Sequence, residues 1–255
     1  MRYLPLCLVL GCPIAVVAQD EAPPVLPEQV TPAEPAAEEA MTLRRGIGLT
    51  IAQAYGLDSW GQVEQIDFTF NAGSGDKATS RRWTWRPKDR QVTLHVEGGE
   101  PITYQQDDAN KSDAAVAVDR HFVNDSYWFL FPFQLVWSNP TVTEHGVAPL
   151  PIGDGEATKV TVQYPDQGGY TPGDAYDLYL DEDHHIVQWV FRRGGGEKGS
   201  PATWEDRASL GPIIVTLEHW GPDRKFHLWF SDVSIRVADD DGHVATHEPT
   251  PVKDR

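Results

Sequence analysis

Cysteine is almost missing from this chain. The 255 residues contain two, Cys7 and Cys12, and both lie in the first apolar stretch. If that stretch is removed, no thiol remains, which excludes disulfide staples, a cysteine nucleophile and a thiolate metal site. Stability must then come from a packed core, and roughly 200 residues bury about 70% of their unfolded surface, enough for one domain. Basic residues are also scarce: 21 Lys and Arg stand against 38 Asp and Glu, a formal net charge of −17. Such a chain repels phosphate backbones, so nucleic acid is not an expected partner. No segment after the first approaches the ~20 continuous apolar residues of a transmembrane helix. The usual catalytic signatures are missing as well: there is no G-x-S-x-G, no H-E-x-x-H, no P-loop and no dinucleotide fingerprint. Gly73-Ser74-Gly75 reads as a hairpin turn, not a nucleophile elbow.

The N-terminus has the layout of an export signal. Arg2 is followed by an apolar stretch from Leu4 to Val17, then Ala18 before Gln19-Asp20. A charged start, a short apolar middle and a small residue at the cut predict cleavage after Ala18 and a periplasmic or extracellular protein. Val9-Leu10-Gly11-Cys12 offers an alternative, lipid attachment at Cys12. Residues 19–40 carry six acidic side chains, five prolines and no Lys or Arg. A segment of that composition cannot bury enough surface to offset its ordering entropy, and it reads as a disordered leader. The folded domain is expected over 41–238, with a polar, frayed tail over 239–255.

From Met41 the apolar residues Leu43, Ile47, Ile51 and Ala54-Tyr55 fall at helical spacing, and Gly56 is a natural stop. Gly46 and Gly48 would allow something to pack closely across this helix. After Trp60 the period drops to two: Ile66, Phe68 and Phe70 share a face, as do Trp83 and Trp85, then Val92, Leu94 and Val96. With turns between them and a strand at Ile102–Gln105, this is an antiparallel meander. A second helix is predicted over Lys111–Val123. It leads into Tyr127-Trp128-Phe129-Leu130-Phe131-Pro132-Phe133, large and apolar apart from Pro132 and poorly suited to a regular sheet. Strands resume at Lys159–Tyr164, Ala175–Leu180, Ile186–Arg192, Ile213–His219 and Lys225–Ile235. About nine strands and two helices point to an α+β, mainly β fold: a curved antiparallel sheet or half-open barrel with helices closing its concave face.

Two clusters bear on chemistry. Asp181-Glu182-Asp183-His184-His185 could serve a divalent metal or an acid/base pair. The flanking strands make it a solvated hairpin turn, and adjacent turn side chains seldom converge on one ion. His145, His219 and His227 stand alone and read as polar-face residues. The second cluster is aromatic. Nine tryptophans are many for this length, and a curved sheet needs filling. The run 127–133 would cap the mouth of a half-closed barrel, where an acyl chain can replace missing packing.

The order of these pieces resembles a known family. A leading helix precedes Trp60-Gly61-x-Val63-x-x-Ile66-x-Phe68-x-Phe70. Trp83-x-Trp85-x-Pro87 and then Glu97-Gly98-Gly99 follow, with Tyr104 on the next strand. Phe230-Ser231-Asp232-Val233-Ser234-Ile235 closes the domain. This layout resembles the outer-membrane lipoprotein carrier (LolA/LolB-like) superfamily. His121-Phe122-Val123-Asn124-Asp125-Ser126-Tyr127-Trp128 looks like a signature of an uncharacterised exported bacterial family of that fold. The resemblance implies a half-barrel whose apolar concavity holds acyl chains, and it supplies no catalytic residue. It also implies a gating arginine, for which Arg81, Arg82 and Arg86 are the nearby candidates. The segment from Gln106 to Pro149 is longer than the carriers have.

The expected role is therefore a non-enzymatic binding protein for a lipid or other apolar ligand, needing no cofactor or metal. The expected pocket lining is Trp83, Trp85, Tyr104, Phe122, Trp128, Phe129, Phe131 and Trp189. Two other roles stay open: a hydrolase or metal enzyme at Asp181–His185, and an interaction domain whose core is simply filled.

Overall fold

A computed structural model describes residues 46–74, 77–138, 140–168, 170 and 172–252. The export signal, the acidic leader and the start of the first helix lie outside these residues.

The first helix, α1, covers 46–54 and ends as expected at Gly56, whose φ of 92° suits glycine. A side chain there would also collide with its neighbours, since a Cβ would lie 2.4 Å from the Pro212 carbonyl oxygen. Gly48 does permit close packing: a Cβ on it would sit 3.2 Å from Val142 and 3.6 Å from Leu135. Gly46 has nothing within 4 Å and plays no such part.

A short 3-10 turn over Leu57–Gln62 leads into β1 (Val63–Ser74), β2 (Lys77–Arg86), β3 (Gln91–His95) and β4 (Ile102–Gln105). These form the expected antiparallel meander, with Ile66 opposite Trp85 and Phe68 opposite Trp83. The second helix, α2 (Asp113–Trp137), follows. Then come β5 (Thr141–Pro149), β6 (Glu156–Gln163), β7 (Ala175–Leu180), β8 (Ile186–Arg192) and β9 (Ser200–Thr203). The chain continues through β10 (Glu205–Leu210), β11 (Ile213–Trp220), β12 (Phe226–Ala238), β13 (Val244–His247) and β14 (Thr250–Pro251).

Sheet order explains the curvature. One sheet runs β14-β10-β11-β12-β1-β2-β3-β4 and the other β5-β6-β7-β8-β9. They meet at a corner where β9 passes into β10 through Trp204. The Trp204 amide still donates to the Val187 carbonyl at 2.9 Å, and the Trp220 amide donates to Thr203 Oγ1 at 3.0 Å. Strands that change sheet at such a corner bend the whole surface. The sheet stays open: β4 and β5 are the outer strands of their sheets and do not pair. The connection between them is α2, which therefore crosses the concave face from one rim to the other. This is the half-open, mainly antiparallel architecture expected from the strand periodicity.

Three expectations need correction. The aromatic run does not follow the second helix; it is part of it. Ser112 caps the helix, its Oγ accepting from the Ala115 amide at 3.2 Å. From there it continues to Trp137 with one break, at Leu130 (φ −126°, ψ 27°). Pro132 causes that break, because it has no N–H for the Trp128 carbonyl and its ring crowds that oxygen. The tail is not all frayed: β13 pairs with β12, and β14 pairs with β10. Five strands of the observed sheets, β5, β9, β10, β13 and β14, were also not foreseen individually.

Candidate functional site

Inward-facing residues of the sheets and one face of α2 meet in a continuous body of rings. At the N-terminal end of α2, Phe122 packs edge-on against Trp83 and Trp85, with centroids 5.4 and 5.6 Å away. In the middle, Phe129 stacks on Phe68 at 4.9 Å and lies 4.7 Å from Phe230. Further on, Phe131 meets Tyr176 at 4.8 Å and Trp189 at 5.2 Å, while Trp128 meets Trp189 at 4.3 Å. At the end of the helix, Phe133 and Trp137 close against Trp60 at 5.1 and 4.6 Å.

The structure thus brings the predicted lining residues together, but as two groups. Trp83, Trp85, Tyr104 and Phe122 form one. Trp128, Phe131 and Trp189 form the other, with Phe129 between them. Among the described residues, Trp128 and Phe131 make no ring contact with Trp83 or Trp85; they flank the break at Leu130 and pack instead on Trp189 of β8. All eight pack against neighbours. Trp83 and Phe131 are fully buried, and only Trp128 is partly exposed.

Polar groups fix the N-terminal part of the helix. Asp125 is fully buried, yet three side chains donate to it. Arg81 reaches it with both Nε and Nη2, at 2.7 and 2.6 Å, and Trp83 Nε1 at 2.8 Å. Asn124 Nδ2 adds a third donor at 3.0 Å. A bidentate guanidinium pair of this kind compensates the cost of removing a carboxylate from water. The Arg81 guanidinium also lies over the Phe70 ring, 4.7 Å from its centroid. Six residues earlier, Asp119 accepts from the Tyr104 hydroxyl at 2.8 Å and the Tyr170 hydroxyl at 2.5 Å. Burial, and then the Asp119 charge, push the Tyr104 phenol far above its ordinary range, so it stays a donor. Of the three arginine candidates, Arg81 faces inward to this pair, whereas Arg82 and Arg86 are exposed.

Sequence reading missed Asp125 and Asp119, and a signal was available. Once the helix is extended to Trp137, Asp119, Phe122, Asp125, Phe129 and Phe133 share one face at spacings of three and four. A carboxylate on an apolar face needs a buried partner. His219 was also misread. Far from lying on a polar face, it is fully buried between Trp128 and Trp204, at 5.2 and 4.8 Å.

The Asp181–His185 segment is a turn. Asp181 Oδ1 accepts from the amides of Asp183 and His185, and Oδ2 accepts from Arg207 at 2.9 Å. The same turn recurs at Asp239, whose Oδ1 accepts from the amides of Asp241 and His243. Among the described residues, no group of three or more His, Cys, Asp or Glu side chains is placed to hold a metal ion.

No protein-family model matches this sequence, and no curated protein does. LolA-superfamily proteins are among the solved structures that resemble it. One from Nitrosomonas europaea is 9% identical, with a TM-score of 0.40, over 76% of this chain and 96% of that one. A DUF1329 family protein from Desulfovibrio piger is 8% identical, also with a TM-score of 0.40, over 76% and 92%. A Vibrio parahaemolyticus domain named for outer-membrane lipoprotein sorting is 12% identical, with the same TM-score, over 75% and 93%.

Proposed function

We propose that this is an exported, non-enzymatic binding protein that takes a lipid or other apolar chain into the half-barrel beneath α2, in the service of lipoprotein or envelope lipid handling. The observation that carries the reading is the construction of the cover. A single helix crosses an open, ring-lined sheet, is broken at Leu130, and is tied down by buried carboxylates only ahead of the break. The part beyond the break packs through Phe131, Phe133 and Trp137. An acyl chain entering there would exchange ring contacts for methylene contacts, each buried methylene contributing ~0.8 kcal/mol. The kink at Leu130 is then the hinge, and the Arg81–Asp125 pair is the anchor that keeps the first half in place while the second half lifts.

A second reading is favoured by the complete burial of Trp83 and Phe131. In it the rings are only core, and the domain acts through its outer surface. Native mass spectrometry of protein purified without detergent separates the two, together with uptake of the neutral fluorophore N-phenylnaphthylamine. Co-purifying acyl species and saturable uptake support the binding protein. A clean apo mass with no uptake overturns it in favour of the filled-core domain. The enzyme reading has little support, because the Asp181 carboxylate is already taken up by turn amides and Arg207.

A further inference from the structure

Around Trp189, the ring cluster contains polar atoms that the rings do not satisfy. Trp189 Nε1, Trp204 Nε1 and His219 Nε2 are buried and have no hydrogen-bond partner among the described residues. Their rings are contiguous: Trp189 and Trp204 lie 5.3 Å apart, and Trp204 and His219 lie 4.8 Å apart. Trp128 from α2 closes the group, 4.3 Å from Trp189 and 5.2 Å from His219. Buried polar side-chain atoms are nearly always paired, so three on one cluster call for an explanation.

The protonation of this cluster follows from its contacts. His219 Nδ1 lies 3.1 Å from the Thr203 carbonyl oxygen. A carbonyl only accepts, so the proton sits on Nδ1 and Nε2 offers a lone pair. Burial lowers the imidazole pKa to about 3, so the ring stays neutral at ordinary pH. Indole nitrogens only donate. The cluster therefore offers two neutral donors and one neutral acceptor, with no charge of either sign.

We infer that this cluster is the head-group end of the apolar site, and that it takes an uncharged hydroxyl. This rests on the proposed binding function. A hydroxyl has one proton to give and two lone pairs to fill, matching the acceptor of His219 and the donors of Trp189 and Trp204. A carboxylate would have no proton for His219, and its charge would be buried without a cation. An ether or ester oxygen accepts but cannot donate. Access is from the Trp128 side, where that half-buried ring meets the exposed Phe226 at 6.2 Å.

The test displaces N-phenylnaphthylamine from the full chain with decanol, decanoate and methyl decyl ether. Decanol should bind about tenfold more tightly than the ether, the effect of roughly one buried hydrogen bond, and more tightly than decanoate. His219→Phe, which keeps a ring but removes the acceptor, should erase the difference between alcohol and ether. Should that variant fail to fold, decanol should still shift the indole Nε1–H resonances of Trp189 and Trp204 in the unaltered protein. If the fluorophore binds but alcohol and ether compete equally, the hydroxyl assignment is wrong while the pocket stands. If the fluorophore does not bind at all, both fall.

Discussion

Replacing Asp125 with alanine tests the anchor of α2 directly. The carboxylate is fully buried, and the Arg81 side chain retains one fifth of its exposure. Removing one member of a buried, hydrogen-bonded pair costs ~3–5 kcal/mol, chiefly because the other member is left without a partner. Here Arg81 keeps some water and the Phe70 ring, which places the guanidinium's share at the low end. Trp83 Nε1 is different. It has no water access and loses its acceptor, adding ~1–3 kcal/mol. The two effects overlap in one network, so the expected loss is about 4 kcal/mol, read as a lower urea midpoint with an unchanged slope. Arg81→Met should cost a similar amount by leaving the carboxylate buried with neutral donors. In the pair Arg81→Met with Asp125→Ala, no charge is left behind, and the loss should fall well below the sum of the singles. A coupling of ~2 kcal/mol or more is expected from such a cycle. If Asp125→Ala costs less than ~1 kcal/mol, or the two substitutions add, the carboxylate is not the anchor described above.

Four other outcomes are expected. Phe131→Ala should cost ~3–5 kcal/mol in urea unfolding, because the ring is fully buried, and Trp128→Ala should cost less because that ring is partly exposed. Gly56→Ala should lose about 2–4 kcal/mol, combining a left-handed backbone with a clash on the Pro212 carbonyl; a neutral result would show that the α1 end can move freely. Asp181→Ala should cost ~1–2 kcal/mol through the lost turn amides and Arg207 contact, without any change in bound metal by elemental analysis. Burial lowers the folded-state pKa of His219 from 6.5 to about 3, so in that window the unfolded chain binds the extra proton. Stability is therefore full above 6.5 and falls as pH drops, by ~1.4 kcal/mol per pH unit from this group; His219→Phe should flatten the profile, apart from a smaller contribution of the same sign from His185.

The strands that face the core announced themselves. β1, β2 and β3 place large apolar residues at every second position, and β7 and β8 flank an acidic turn. The strands that escaped notice have physical reasons to do so. β5 is an outer strand with most of its residues exposed, so its alternation carries little apolar signal. β9 and β10 are one extended stretch that changes sheet at Trp204, which shifts the inward face midway. The length of α2 was hidden by Pro132, which marks a break but here interrupts only one turn of a helix held by its surroundings. In the site, ring positions were legible because ring-rich stretches in an acidic chain must be covered. Asp125 was not, because its partner Arg81 lies 44 residues away and meets it only after β2 and α2 cross. His219 differs from His227 by eight positions, and the parity is the same for both. What separates them is the hairpin between β11 and β12, which turns one inward among tryptophans and the other outward against Glu218.

The division of α2 at Leu130 bears on which half can move. Ahead of it, Asp119 and Asp125 tie the helix to β2, to β4 and to Tyr170 through directional bonds to buried groups. Lifting that half would strand a carboxylate, a guanidinium and an indole N–H, each far costlier to expose to an apolar chain than a ring is. Behind Leu130, the side-chain hydrogen bonds found among the described residues are local, Ser138 to Gln134 and to Tyr127. The rest of the contact is ring on ring, which is non-directional and can be replaced by any apolar surface of similar area. The break itself has already given up the helical bond that would resist bending. Stability and opening are thus placed on different halves of one helix. It follows that substitutions at Asp119 or Asp125 should lower stability more than they change ligand uptake, and that one at Trp137, which lies beyond the break and is partly exposed, should change uptake more than stability. Equal effects at both ends would mean that α2 moves as one piece, or not at all.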